Sequence, residues 1–175
     1  MRVFAAIYIP DEIKANILEA SKYFALRGVT LVKRDALHIT MHFFGEIEEK
    51  DVARIKSAMD GIRTGSFGVT VQGISFFKPE HIRVVYAGIT QGAENVTEVH
   101  NRLVDSLKIH DEERFVPHIT IARVRGIKDR RAFLELASEY EEYDFGSFTV
   151  DSLVLKKSTL TGEGPVYEEL YKSEL

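Results

Sequence analysis

Apolar and polar positions alternate along this chain with two different periods, and the switches between them lay out its elements. Val3–Ile9 is a continuous apolar run, the pattern of a central strand covered on both faces. Pro10-Asp11-Glu12 then opens a helix with carboxylates where the macrodipole favours them. Ile13, Ile17, Ala20 and Phe24 follow at helical spacing, and Gly28 closes the helix. Thr30–Lys33 reads as a short strand, Asp35-Ala36 as a turn, and Leu37–Phe43 as a strand ended by Gly45. Val52, Ile55, Met59 and Ile62 stripe a second helix. Phe67, Val69 and Val71 alternate with Thr70 and Gln72 in a strand with one wet face. After a break at Phe76-Phe77-Lys78-Pro79, Arg83–Ile89 is the next strand and Val96, Val99, Leu103 and Leu107 define a third helix. His110–Arg114 reads as a charged surface turn before the strand Pro117–Arg123. Phe133, Ala137 and Tyr140 carry a fourth helix. Phe148–Leu155 is a long strand, Lys156–Gly164 a polar loop, and Val166–Lys172 a final alternating strand.

Two of these strands share a motif, His38-Ile39-Thr40 and His118-Ile119-Thr120, offset by 118 − 38 = 80 positions. The same offset lays Val3–Ile9 on Arg83–Ile89, the helix after Glu48 on the one after Lys128, and Phe67–Phe76 on Ser147–Lys156. Present only twice, so long a period reads as a duplicated half-domain. The expected architecture is therefore α+β with two similar lobes in a single domain over 1–175. Its repeat-like halves span about 1–80 and 81–160, followed by a C-terminal strand at 165–173.

A period of two puts His38 and Thr40 on one strand face, and His118 and Thr120 likewise on the other. Two residues along a strand span roughly 6.6 Å, so an imidazole and a hydroxyl can hold one phosphate-sized group. Two such strands facing each other suit acid–base chemistry on a phosphodiester.

Composition narrows the picture. With 175 residues and 45% hydrophobic content the chain can bury a real core. The absence of cysteine excludes disulfides, thiolate catalysis and thiolate metal sites. Val3–Ile9 is too short for a signal-peptide core, and nothing approaches a membrane span of about 20 apolar residues, so a cytoplasmic protein without membrane attachment is expected. The net charge of −4 argues against coating long RNA or DNA, whose binding favours a basic surface, and leaves a local cleft that reads a phosphorylated end.

The two motifs with their flanks resemble the 2H phosphoesterase superfamily, within it the LigT-like RNA 2′,3′-cyclic phosphodiesterases of the 2′-5′ RNA ligase family. His38–Phe43 matches the first motif, which ends in Phe, and His118–Arg123 the second, which ends in Arg. Met1–Ile7, Arg83–Ile89 and Gly164–Tyr167 are also similar, with Tyr86 where the family commonly carries Trp. The resemblance covers nearly the whole chain. It implies lobes related by a pseudo-twofold axis, each an antiparallel-rich sheet with helices on its outer face, and a catalytic cleft between them. It also implies that His38 protonates the leaving 3′ oxygen, that His118 activates water, and that Thr40 and Thr120 donate to the non-bridging oxygens. Arg123 would add a charge-assisted contact. The product would be a 2′-phosphomonoester, and ligation of tRNA halves the same chemistry run in reverse.

By strict alternation Arg123 faces away from His118 and Thr120, so a bulge or the strand end must bring it inward. His38 and His42 are about 13 Å apart on a strand, too far for one ion. His42 is expected beside the cleft or in the core, and His81, His100 and His110 on the surface. No cluster has metal-ligand spacing and Gly162-Glu163-Gly164 lacks the features of a phosphate loop, so no cofactor and no metal are expected. Phe43, Phe44, Phe77 and Tyr167 are candidates for stacking a base, with a core role the alternative, favoured for Phe43. Lys156 and Lys157 read equally as phosphate contacts or a solvated edge. Three functions stand: the RNA cyclic phosphodiesterase, the same chemistry on a small cyclic or 2′-5′ linked nucleotide, and a non-catalytic RNA-end binding module. A monomer is expected.

Overall fold

The continuous apolar run at the start of the chain becomes β1 (Arg2–Ile7), the strand on which both layers of the protein pack. Val3, Ala5 and Ile7 face the main core, whereas Phe4 and Ala6 turn to the opposite side and pack with Val154 and Tyr167. In this computed structural model, which describes residues 1–110, 113–162 and 164–175, the remaining strands are β2 (Val29–Leu31), β3 (Ile39–Glu46), β4 (Phe67–Phe76), β5 (Val84–Ile89), β6 (His118–Val124), β7 (Asp144–Val150), β8 (Ser152–Thr161) and β9 (Gly164–Glu174). The helices are α1 (Asp11–Ser21), α2 (Glu49–Asp60), α3 (Ala93–Leu107) and α4 (Arg130–Glu139).

One antiparallel sheet runs in the order β7-β4-β5-β6-β3-β1-β8-β9, with β2 added to β6. Its midline is the junction of the two motif strands, paired at Ile39 and Ile119. Beyond that pair β2 takes over the edge of β6, with Val29, Thr30 and Leu31 opposite Val124, Arg123 and Ala122. The motif strands therefore splay apart and leave a cleft between a lobe of β9-β8-β1-β3 and a lobe of β6-β5-β4-β7. β4 is hydrogen-bonded into the second lobe through β5 and β7, and β8 into the first through β1, so each lobe draws strands from both halves of the sequence. The apolar stripes of all four helices bury against the face that carries Ile39, Met41, Ile119 and Ile121, opposite the cleft. Among the described residues no helix is long and apolar enough to cross a membrane.

Several expected boundaries move. Helix α1 ends at Ser21 and continues as a single 3-10 turn to Phe24. Gly28 is not its cap but a left-handed residue (φ +85°) entering β2, where a Cβ would lie 2.1 Å from the Gly126 carbonyl oxygen. Phe148–Leu155 is two strands, because the chain leaves the second lobe at Val150 and joins the first at Ser152. Lys156–Gly164 is mostly strand: β8 runs to Thr161 and pairs with β9 to its tip. Its polarity marked exposure of the projecting hairpin, not loss of regular structure. Asp111 and Glu112 of the charged turn, and Glu163 of the glycine loop, lie outside the described residues.

Candidate active site

Each motif strand carries an extra residue just after its threonine. On β3, Thr40 and His42 pair with the neighbours Ala6 and Ala5 of β1, leaving Met41 as a bulge. On β6, Thr120 and Ala122 pair with Tyr86 and Val85 of β5, leaving Ile121 as a bulge. Both bulged side chains are buried, at 1% exposure each. A bulge resets which face the following residues take. It brings Arg123 back to the face of His118 and Thr120, and at the equivalent position on β3 it brings Phe43 to the face of His38 and Thr40. Arg123 and Phe43 both line the cleft, and Phe43 is 63% exposed. The core placement favoured for Phe43 by simple alternation is thus overturned.

The cleft has a volume of about 850 Å³ and holds His38, Thr40, His118, Thr120, Arg123, Phe43 and Tyr167 together. Every residue predicted for the site opens onto it. Its rim also carries Lys33, Lys78 and Arg114 against one described carboxylate, Glu113, so a protein of net negative charge presents a locally basic cleft.

Each histidine is held by aromatic rings. His38 stacks on Phe4 (centroids 4.9 Å apart, 29° between planes) and meets the edge of Tyr167 at 5.5 Å. His118 packs against Phe77 at 5.0 Å and Tyr86 at 5.3 Å, and those two rings stack on each other at 4.5 Å. The hydrogen bonding differs. His118 Nδ1 donates to the Val116 carbonyl at 2.7 Å, which leaves the Nε2 lone pair for the cleft. The buried Nδ1 of His38 has no hydrogen-bond partner among the described residues, although the nearby Ala36 carbonyl favours the protonated ring.

Burial lowers the pKa of His38 to about 4, with the positive charges of Lys156 and Lys14, and that of His118 when protonated, acting in the same direction. Burial also lowers that of His118, helped by Arg123 and opposed by the Val116 carbonyl. Both imidazoles are therefore neutral in the free protein at neutral pH.

Other placements differ from expectation. His100 is not a surface residue: it is 4% exposed, its Nδ1 lies 2.7 Å from the Met41 carbonyl oxygen, and its ring lies flat on Phe115 at 3.9 Å. His42 is half-buried at the cleft and its ring stands 6.2 Å from that of His100. His81 and His110 are exposed. Phe44 packs on the core, while Phe77 lines the cleft. Lys156 is not a solvated edge. Its stem is buried at 7% exposure, and its ammonium sits 4.5 Å over the ring of Tyr8, whose hydroxyl donates to Glu169. Sequence reasoning missed Phe4 as the ring that seats His38, because inside a continuous apolar run nothing marks which face a residue takes.

Two lobes of antiparallel sheet with a His-x-Thr strand from each at one cleft are the hallmarks of a single class, and comparison with known proteins agrees. The sequence model of the 2′-5′ RNA ligase superfamily matches residues 9–160, and the chain belongs to that superfamily, the 2H phosphoesterases. Among its relatives, a Methanocaldococcus jannaschii protein named RNA 2′,3′-cyclic phosphodiesterase is 33% identical over 171 residues, 96% of this chain and 97% of its own. A Thermotoga maritima protein of the same name is 33% identical over 184 residues, 99% of this chain and 95% of its own. A crystal structure of a Thermus thermophilus protein superposes with a TM-score of 0.83 at 27% identity, covering 100% of this chain and 98% of its own. Escherichia coli LigT in complex with 3′-AMP shares the fold, with a TM-score of 0.81 at 23% identity and coverages of 99% and 97%.

Proposed function

We propose that this protein hydrolyses RNA 2′,3′-cyclic phosphate ends to 2′-phosphomonoesters by two-histidine acid–base catalysis. The observation that carries the reading is the asymmetric pair of imidazoles across the midline cleft. His118, its Nδ1–H committed to Val116, offers a cleft-facing lone pair able to take a proton from water. His38 supplies the proton to the departing 3′ oxygen. As water adds to phosphorus, the P–O3′ bond breaks and the electron pair on O3′ accepts that proton.

A neutral His38 must first gain a proton. The anionic phosphate entering beside it favours the imidazolium, and the bare Nδ1 would then carry a hydrogen for the Ala36 carbonyl. The ring thus becomes an acid when substrate is present. Thr40 and Thr120 donate hydrogen bonds to the non-bridging oxygens as charge builds there, and Arg123 adds a charge-assisted contact. Exposed Phe43 and half-buried Tyr167 offer ring surface to the terminal base.

The names of the relatives support RNA as the substrate class, with tRNA halves one source of such ends. With a ribose 5′-hydroxyl in place of water the same two groups would join RNA ends through 2′-5′ linkages. Both histidine strands come from one chain, so a monomer suffices. The test is a short RNA ending in 2′,3′-cyclic phosphate, incubated with the protein in EDTA and followed by phosphorus NMR. Conversion to the 2′-phosphate, lost in His38→Ala and His118→Ala, is expected. A 3′-phosphate product, or full rate in either variant, would refute the assignment.

A further inference from the structure

The segment between β4 and β5 holds one residue in a conformation its type disfavours. Lys78 has φ +52°, in the left-handed region that L-residues with long side chains rarely occupy. It also precedes Pro79, and a residue before proline is normally confined to extended conformations. Such a backbone persists only where its surroundings over-determine it, and strain of this kind gathers at functional sites.

The surroundings here are explicit. Arg130, the first residue of α4, donates to the carbonyls of Pro79 and Glu80. The His81 amide donates to the Lys78 carbonyl at 2.8 Å and closes the turn. On the other side Phe77 is fixed by its stack on Tyr86 and its edge contact with His118. Lys78 is thereby pinned to the rim of the cleft, one residue from a ring that touches His118. It is exposed and has no ion pair among the described residues. Glycine or asparagine would fill this backbone position with less strain, so the lysine is there for its ammonium.

The cleft has room for more than a terminal nucleotide. Its volume of about 850 Å³ lies near the top of the range of about 300–1,000 Å³ for small-molecule sites. The cyclic phosphate is already provided with two hydroxyls, two imidazoles and Arg123. A further cation on the rim, next in sequence to the ring that packs on His118, matches the next negative charge along the chain.

We infer that Lys78 binds the RNA phosphate immediately upstream of the cyclic end, the 5′-phosphate of the terminal nucleotide, so that the cleft selects an oligonucleotide over a mononucleotide. This rests on the phosphodiesterase reading for the identity of the ligand.

The test measures binding and turnover separately. Affinities are compared for 3′-AMP, for adenosine 3′,5′-bisphosphate, which adds only the upstream phosphate, and for the dinucleotide ApAp. The intact protein is expected to bind the bisphosphate at least 5-fold tighter than 3′-AMP, with a log–log salt slope steeper by about 0.7, as for one phosphate of a single strand. In Lys78→Asn, which tolerates the left-handed backbone, that preference and the extra slope disappear while the 3′-AMP affinity stays within 2-fold. The melting temperature should be unchanged or raised, whereas loss of a purely structural residue would lower it. Lys50→Asn, a lysine paired with Glu48 on α2 and outside the cleft, should retain the preference. The inference falls if Lys78→Asn keeps the bisphosphate preference or weakens all three ligands equally. Turnover of cyclic-phosphate RNA without a Lys78-dependent preference sinks this inference alone. A Lys78-dependent preference without turnover sinks only the phosphodiesterase reading. No binding of any ligand sinks both.

Discussion

Acidification should unfold this protein through His38. Its ordinary pKa of 6.5 applies to the unfolded chain, and burial among Phe4 and Tyr167 lowers it to about 4 in the folded state. Between these values the unfolded chain binds a proton that the folded ring refuses. The stability that depends on a neutral His38 is therefore complete above pH 6.5 and is lost as pH falls towards 4. For one group with these constants the loss on going from pH 7.5 to pH 5 is RT ln[(1 + 10^1.5)/(1 + 10^−1)], or about 2 kcal/mol, a large share of the 5–15 kcal/mol typical of a domain. His118 is lowered in the same direction and adds to the fall. Urea unfolding at both pH values, for the native sequence and for His38→Asn, isolates the His38 share. The variant starts from lower stability because it loses the ring packing, yet it should lose about 2 kcal/mol less on acidification. Equal losses in the two proteins, or an imidazole NMR titration of His38 near 6.5, would refute the reasoning.

Further outcomes are expected. His118→Ala should lower kcat for cyclic-phosphate RNA by about 10²–10⁴-fold, the range for removing a general base, with the fold intact by circular dichroism. Thr120→Val should cost about 10²-fold in kcat through loss of a donor to the developing charge, measured under saturating substrate. Arg123→Ala should lower kcat/KM by about 10–100-fold, the equivalent of about 1.5–3 kcal/mol for a hydrogen bond to a charged group. Phe4→Ala should destabilise by about 3–5 kcal/mol in urea unfolding, since the ring is buried to 1% exposure. Lys156→Met, which removes a buried cation of matching length, should keep or raise the melting temperature and raise the NMR pKa of His38, whose charged form Lys156 opposes.

The strength of the sequence lay where one periodicity governed a whole element. Ile13, Ile17 and Ala20 predict the buried stripe of α1 because a helix repeats its face, and Phe24, on the 3-10 turn that continues it, stays on the buried side. His38, Thr40, His118 and Thr120 were legible because each pair sits before its bulge, where strict alternation still holds. Phe43 and Arg123 lie past it. An added residue in a strand leaves no compositional mark, so strict alternation gives both the wrong face; for Arg123 the family motif called for a bulge or strand end, and for Phe43 only the register of β1 with β3 showed it.

Everything that depends on which strands meet was beyond the sequence as well. The same alternation describes a strand in either lobe, so nothing marked the exchange of β4 and β8 between lobes or the break at Asp151. His100 looked like a helix-surface histidine because its burial is supplied by Phe115 and the Met41 carbonyl, both remote in sequence. The burial of Lys156 was not legible because its apolar cover comes from the neighbouring strands and Tyr8. Chemical identity at the site was written locally, in two tripeptides. Its geometry and proton affinities were not, because burial and register are properties of neighbours that only the folded chain assembles.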